Sequence, residues 1–143
     1  MRVLVVEDEF VSRKKITRIV ETFAECVAVE NGAQALAAFR EAWDKGLPFD
    51  LACLDIQMPE VDGLEVLSTF REAEKELGVS WEARIRIIMI TAHSDQDMVA
   101  RAIQAGCDDY ILKPVYRNYL IDKIEELFKD PLLPEARIIK LKE

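Results

Sequence analysis

Basic residues are in short supply: the 143-residue chain carries 19 Lys and Arg against 27 Asp and Glu, a formal charge of −8. A surface of that sign repels the phosphates that a nucleic-acid binder has to neutralise, so no direct contact with nucleic acid is expected. Cysteine is scarce and odd in number. Cys26, Cys53 and Cys107 lie scattered beside apolar residues, which argues against a disulfide frame or a thiolate metal cluster and suits small buried thiols in a reducing compartment. The first residues lack the basic start, long apolar run and small-residue cleavage site of a secretory signal. A cytoplasmic location without membrane association is therefore expected. Internal repeats and low-complexity tracts are also missing.

What remains is half apolar, enough for one compact domain that buries roughly two thirds of its unfolded surface. Val3 to Val6 is a β-branched run of the kind found in strands buried on both faces. Ile16, Ile19, Val20 and Phe23 then recur at helical spacing, and the pattern turns extended again from Cys26 to Val29. Asn31-Gly32 opens a second helix with Leu36, Phe39 and Trp43 on its apolar stripe, ended by Gly46 and Pro48. Leu51 to Leu54 predicts a third strand, Pro59, Asp62 and Gly63 a loop, and Leu64, Leu67 and Phe70 a third helix. That helix is expected to run on past Ala73 and to leave a short exposed loop around Gly78 to Trp81. Ile85 to Ile90 is the most apolar strand. Met98, Val99, Ala102 and Ile103 predict the inner face of a fourth helix stopped by Gly106, Tyr110 to Leu112 a short last strand, and Leu120, Ile121, Ile124, Leu127 and Phe128 the core face of a fifth helix. Alternation of this kind predicts an α/β sandwich, a five-stranded parallel sheet with helices on both faces joined by right-handed crossovers.

Four of these stretches end on a polar residue able to handle phosphate or metal: VLVVED at Asp8, LACLD at Asp55, IIMIT at Thr91 and YILKP at Lys113. Strands of a parallel sheet end along one edge, so the four stops are expected to meet. Glu7, Asp8 and Asp55 would repel one another by roughly a few kcal/mol per pair unless a cation neutralised them. An oxygen-only set favours Mg²⁺. Taken singly, each residue has a plainer reading: Asp55 as a helix cap or turn residue, Lys113 as a solvated lysine, Thr91 as an ordinary strand residue. Nothing local separates the readings. The Lys113-Pro114 step lowers the barrier against a cis peptide and can aim the lysine inward, and its ammonium suits phosphate.

The motifs VLVVEDE, LDIQMPEVDG, IIMITAH and AGCDDYILKP, in that order and spacing, resemble those of the receiver domains of bacterial two-component response regulators. The resemblance covers about residues 2 to 129. It implies a flavodoxin-like receiver fold with strand order 2-1-3-4-5 over residues 1–129, Asp55 as phospho-acceptor, and Mg²⁺ held by Glu7, Asp8, Asp55 and the backbone carbonyl of Gln57. Lys113 and Thr91 would bind phosphoryl oxygens, and Thr91 with Tyr110 would form the switch. The implied phosphodonor is a sensor histidine kinase or a histidine phosphotransfer protein. The chain would catalyse only its own phosphorylation and the slow hydrolysis that follows.

The same resemblance sends output through the surface of the fourth helix, fifth strand and fifth helix, where Tyr116, Tyr119 and Lys123 form a partly aromatic patch. His93, with Gln57, would adjust how fast the phosphoryl group hydrolyses. Two other classes stand beside this reading. A small Mg²⁺-dependent aspartyl phosphatase would need a second acid two residues after the nucleophile, where Gln57 stands; a phosphorylation-independent interaction module would not need the full acidic and Lys113 set. The chain is expected to be a stand-alone receiver followed by a tail, residues 130–143. In that tail Pro131 and Pro134 are expected to stop the last helix, and Ile138, Ile139 and Leu141 to pack on the domain, with a homodimer contact or a disordered end as the alternatives.

Overall fold

The computed structural model describes residues 1–58, 60–92 and 95–129. The expectations for Pro59, His93 and the tail from Asp130 onward lie outside the described residues. In chain order the elements are β1 (Arg2–Val6), α1 (Phe10–Val20), β2 (Glu25–Val29), α2 (Gly32–Asp44), β3 (Leu51–Asp55), α3 (Gly63–Glu76), β4 (Arg86–Thr91), α4 (Gln96–Ala105), β5 (Asp109–Leu112) and α5 (Arg117–Phe128), with a single 3₁₀ turn at Trp81–Ala83. Five parallel strands form one sheet in the order β2-β1-β3-β4-β5, the flavodoxin-like order. Among the described residues, no helix is long and apolar enough to cross a membrane.

Alternation along each strand divides the core into two layers. Leu4, Val6, Ala52, Leu54, Ile87 and Met89 face α2, α3 and α4, where the rings of Phe39 and Phe70 stack with centroids 4.3 Å apart. Val3, Val5, Leu51, Cys53, Ile88 and Ile90 face α1 and α5. Both faces of the inner strands are therefore dry, which is why their sequences are continuous apolar runs with no polar alternation. The thiol of Cys53 is buried, Cys26 and Cys107 are half-buried, and all three are free, as their apolar neighbours predict. Burial raises each thiol, Cys26 and Cys107 to about 11 and Cys53 to about 12.

Helix starts follow local chemistry. Asn31, Asp62 and Asp95 each accept a bond from a first-turn backbone N–H, and Glu9 accepts from Val11 and Ser12 at the start of α1. Glu9 is thus a cap, while its neighbours Glu7 and Asp8 are left for other work. Three details differ from the sequence pattern. Phe23 packs on the core from the turn after α1, because the helix ends at Val20. The core stripe of α2 is Ala35, Phe39 and Ala42, with Leu36 and Trp43 at its half-buried margins. In α4 only Ala102 is fully buried and Ile103 is 62% exposed. The helix rests on the α3 side of the sheet through Met98, Ala102 and Ala105, and the 100° step from Ala102 turns Ile103 away from that contact.

At the N-terminal edge of the sheet a charged clamp joins α3, β4, α4 and β5. Arg71 pairs with Glu74 at 2.6 Å and Asp108 at 2.9 Å, and donates to the carbonyls of Ile85 and Gly106. Glu74 and Asp108 accept the N–H groups of Ile85 and Ile87, and Arg84 also pairs with Asp108 while lying over the Trp81 ring. Removing Arg71 would leave the buried Glu74 carboxylate without a charge partner and Asp108 with Arg84 alone. Arg71→Ala should destabilise the fold by about 3 kcal/mol and lower the melting temperature by roughly 10 °C. Lys45→Ala, which breaks the exposed pair with Glu41, should leave it almost unchanged in the same thermal melt.

Candidate functional site

The polar stops converge as the topology requires. Glu7 and Asp8 follow the end of β1, Asp55 closes β3, Thr91 closes β4, and Lys113 follows β5. Val6 stands opposite Leu54 in the sheet, so the two strand ends deliver their acids side by side. One carboxylate oxygen from each of Glu7, Asp8 and Asp55 lies within 4.8 Å of the others. Glu7 and Asp55 are buried at 1% and 6% exposure, whereas Asp8 is exposed.

Lys113 enters this cluster. Its Nζ donates to Glu7 Oε1 and, at 3.5 Å, to Asp55 Oδ2. The backbone N–H of Lys113 donates to the Thr91 carbonyl at 2.7 Å, tying the end of β4 to the turn after β5, and the Lys113–Pro114 peptide is cis. The closest partner of the ammonium is therefore Glu7, a pairing with no signature in the sequence. Burial works against the charge of Lys113, yet the bonds to Glu7 and Asp55 outweigh it and hold its pKa above the usual value. For Asp55, burial and then the adjoining Glu7 carboxylate push the pKa up to about 8, against the pull of Lys113 and of the Gln57 N–H.

Electrostatics leave the site short of positive charge. Among the described residues one ammonium enters the cluster of three carboxylates, bonded to Glu7 and Asp55, and the second oxygen of Glu7 is buried without a hydrogen-bond donor. Hard oxygen donors with an unmet buried acceptor fit a hard divalent cation, and Glu7, Asp8 and Asp55 are the side chains that could hold it. Gln57 donates its N–H to Asp55 Oδ1 at 3.3 Å and exposes its side chain. Thr91 is fully buried and hydrogen-bonded to Tyr110, whose hydroxyl burial holds above its usual pKa against the pull of that bond.

Beside the cluster, Val99, Tyr110, Leu112, Lys113, Pro114, Tyr116 and Tyr119 line an open groove of about 650 Å³ between α4, β5 and α5. Tyr116 and Tyr119 are exposed, and Lys123 lies over the Tyr119 ring. Gly63 had been legible only as part of a turn. A Cβ at this position would stand 2.2 Å from the Asp55 carbonyl oxygen; the Asp-Gly pair at the helix start was the available signal.

Residues 3–125 match the family model described as the response regulator receiver domain. The chain is 37% identical over 127 residues to the chemotaxis protein CheY of Bacillus subtilis, covering 87% of this chain and 95% of that one. It is 32% identical to a probable histidine kinase of Oryza sativa over 90% of its own length, but spans only 13% of that much longer protein. Among solved structures, the receiver domain of an Arabidopsis thaliana histidine kinase complexed with Mg²⁺ and BeF₃⁻ is similar at TM-score 0.77 and 34% identity, covering 90% of each chain. CheY of Borrelia burgdorferi, in a complex with CheX, BeF₃⁻ and Mg²⁺, is similar at TM-score 0.75 and 26% identity, covering 90% of this chain and 89% of that one.

The perturbed acid sets a pH dependence. Folding raises Asp55 from 3.8 to about 8, so the folded state binds this proton more tightly than the unfolded one. The stability associated with Asp55 is then fully present below pH 3.8 and is lost as pH rises to about 8. In chelator-treated buffer, the melting temperature of the parent should fall relative to that of Asp55→Asn as pH is raised from about 5.5 to about 8.5. Parallel curves would place the charge strain elsewhere.

Proposed function

Because the chain belongs to the response regulator receiver domain family of two-component signalling, we propose that it accepts a phosphoryl group on Asp55 from a histidine kinase or a histidine phosphotransfer protein and thereby switches an output surface. The observation that carries this reading is the acidic cluster of Glu7, Asp8 and Asp55 with the Lys113 ammonium inserted into it. The similar receiver structures complexed with Mg²⁺ and BeF₃⁻, an ion with the shape and charge of a phosphoryl group, support it.

In this mechanism an Asp55 carboxylate oxygen attacks phosphorus, the bond to the donor's histidine nitrogen breaks as the new O–P bond forms, and the imidazole leaves with the electron pair. Mg²⁺ held by Glu7, Asp8, Asp55 and the Gln57 carbonyl would supply the positive charge that lets two anions approach. Lys113, already within reach of Asp55 at 3.5 Å, exchanges its carboxylate partner for a phosphoryl oxygen and stabilises charge there. Thr91 donates its hydroxyl to another phosphoryl oxygen, which requires it to leave Tyr110 and frees that ring to turn. The chain acts only on itself: water later hydrolyses the acyl phosphate and restores the aspartate.

The switch would be transmitted to the groove of α4, β5 and α5, because Tyr110 is both the partner of Thr91 and part of the groove lining. On the donor side, α1 carries Arg13, Lys14, Lys15 and Arg18 with no acid between Phe10 and Val20, a face suited to an acidic phosphodonor surface.

Incubation with acetyl phosphate and Mg²⁺, followed by intact-mass measurement, should give a phosphoryl adduct in the parent and none in Asp55→Asn. An equal adduct in the variant would place the acceptor elsewhere. Asp8→Asn should bind Mg²⁺ more weakly, by about tenfold or more, in a calorimetric titration; unchanged affinity would remove Asp8 from the metal set.

A further inference from the structure

Asp55 closes β3, and Gln57 belongs to the loop that leaves the sheet there and must return within a few residues to start α3. The return is unusually close. The N–H of Gly63, the first residue of α3, donates to the Ile56 carbonyl at 2.8 Å. A side chain on Gly63 would place its Cβ 2.2 Å from the Asp55 carbonyl oxygen and 2.8 Å from Ile56 Cα, both backbone atoms that cannot swing aside. On the other side of the loop, a Cβ on Gly32, the first residue of α2, would stand 2.8 Å from the Cβ, Cγ1 and carbonyl oxygen of Val61. Neither glycine is placed there by backbone conformation, since only Gly46, Gly78 and Gly106 among the glycines adopt positive φ. The absence of a side chain is needed for contact distance.

We infer that Gly63 and Gly32 are positioning residues for the acidic site: the starts of α3 and α2 close on the β3–α3 loop only because they carry no Cβ, and this closure holds in place the backbone from Asp55 to Gln57, whose N–H donates to the Asp55 carboxylate. The inference rests on the proposed metal and phosphoryl site. A side chain at Gly63 must push the Asp55–Ile56 backbone outward, which moves the buried carboxylate and the neighbouring carbonyl together. Small displacements of ligands weaken a site for Mg²⁺ sharply, because that ion demands near-ideal octahedral geometry.

The test is a Mg²⁺ titration by calorimetry, well below the melting temperature, on the full chain and on Gly63→Ala, Gly32→Ala, Gly78→Ala and Asp8→Asn. Gly78 has φ +72 with nothing within 4 Å of an added Cβ, so its variant reports a stability loss remote from the site. The expected result is Mg²⁺ binding weakened about tenfold or more in Gly63→Ala, weakened to a lesser degree in Gly32→Ala, and unchanged in Gly78→Ala. Melting curves with and without Mg²⁺ should show a smaller metal-induced rise for the two site glycines than for Gly78→Ala. Parent-like affinity in a folded Gly63→Ala would overturn the inference. So would a Gly63→Ala chain that stays unfolded even with Mg²⁺, since the glycine would then serve the fold and not the site. If the parent itself binds no Mg²⁺, or Asp8→Asn binds as well as the parent, it is the metal-site reading that fails.

Discussion

Two carboxylates buried at the end of a sheet that is otherwise dry on both faces are the constraint around which the rest is arranged. Glu7 follows β1 and Asp55 closes β3, neighbouring strands whose other residues, Arg2 apart, are apolar. Burying like charges is costly unless a cation or a proton intervenes. Among the described residues the fold supplies one cation, Lys113, carried in from beyond the far strand of the sheet. Burial and the adjoining Glu7 carboxylate push Asp55 up to about 8 against the pull of that charge, and a hard ion suits a cluster so underneutralised. The strain that would make Asp55 a poor aspartate in a metal-free domain is what makes the site respond to added positive charge.

The opposite edge of the sheet obeys the reverse rule. Arg71 and Arg84 meet Glu74 and Asp108, two positive charges with two negative, and each carboxylate also accepts a backbone N–H from the start of β4. Buried charge there is balanced and nearly every donor is used, so it fastens the scaffold and has little reason to bind anything more. Between the two edges, α4 is joined to the clamp through the Gly106 carbonyl at its C-terminal end yet buries only Ala102. A helix so lightly packed costs little to displace, and it forms one wall of the groove assigned to output.

How much of this was legible in the sequence follows from the range of the interactions involved. The strands were legible because β-branched runs and helical stripes are local signals; their order was legible only through the resemblance carried by the motifs at their ends. Glu7, Asp8, Asp55 and Lys113 were legible as a group because parallel strands share an edge, and the structure brings them together. The pairing of Lys113 with Glu7 was not, since it joins positions 106 residues apart and depends on which carboxylate is more deeply buried. Ile103 illustrates the same limit from the other side: helical spacing grouped it with Ala102, but only the docking angle of α4 on α3 decides which of two adjacent apolar residues faces in. The clamp residues Arg71, Glu74, Arg84 and Asp108 carry no signal in the sequence, for the pattern of a helix says nothing about a carbonyl thirty-five residues away.

The ring of Trp81 gives the clamp an optical signature. It is 61% exposed and lies 3.6 Å from the guanidinium carbon of Arg84, while Trp43 is half-buried against the core. A fixed cation over one indole and an apolar wall against the other give the two chromophores different surroundings. Their emission therefore distinguishes loosening of the scaffold's charged edge from opening of its apolar layer, without a foreign label.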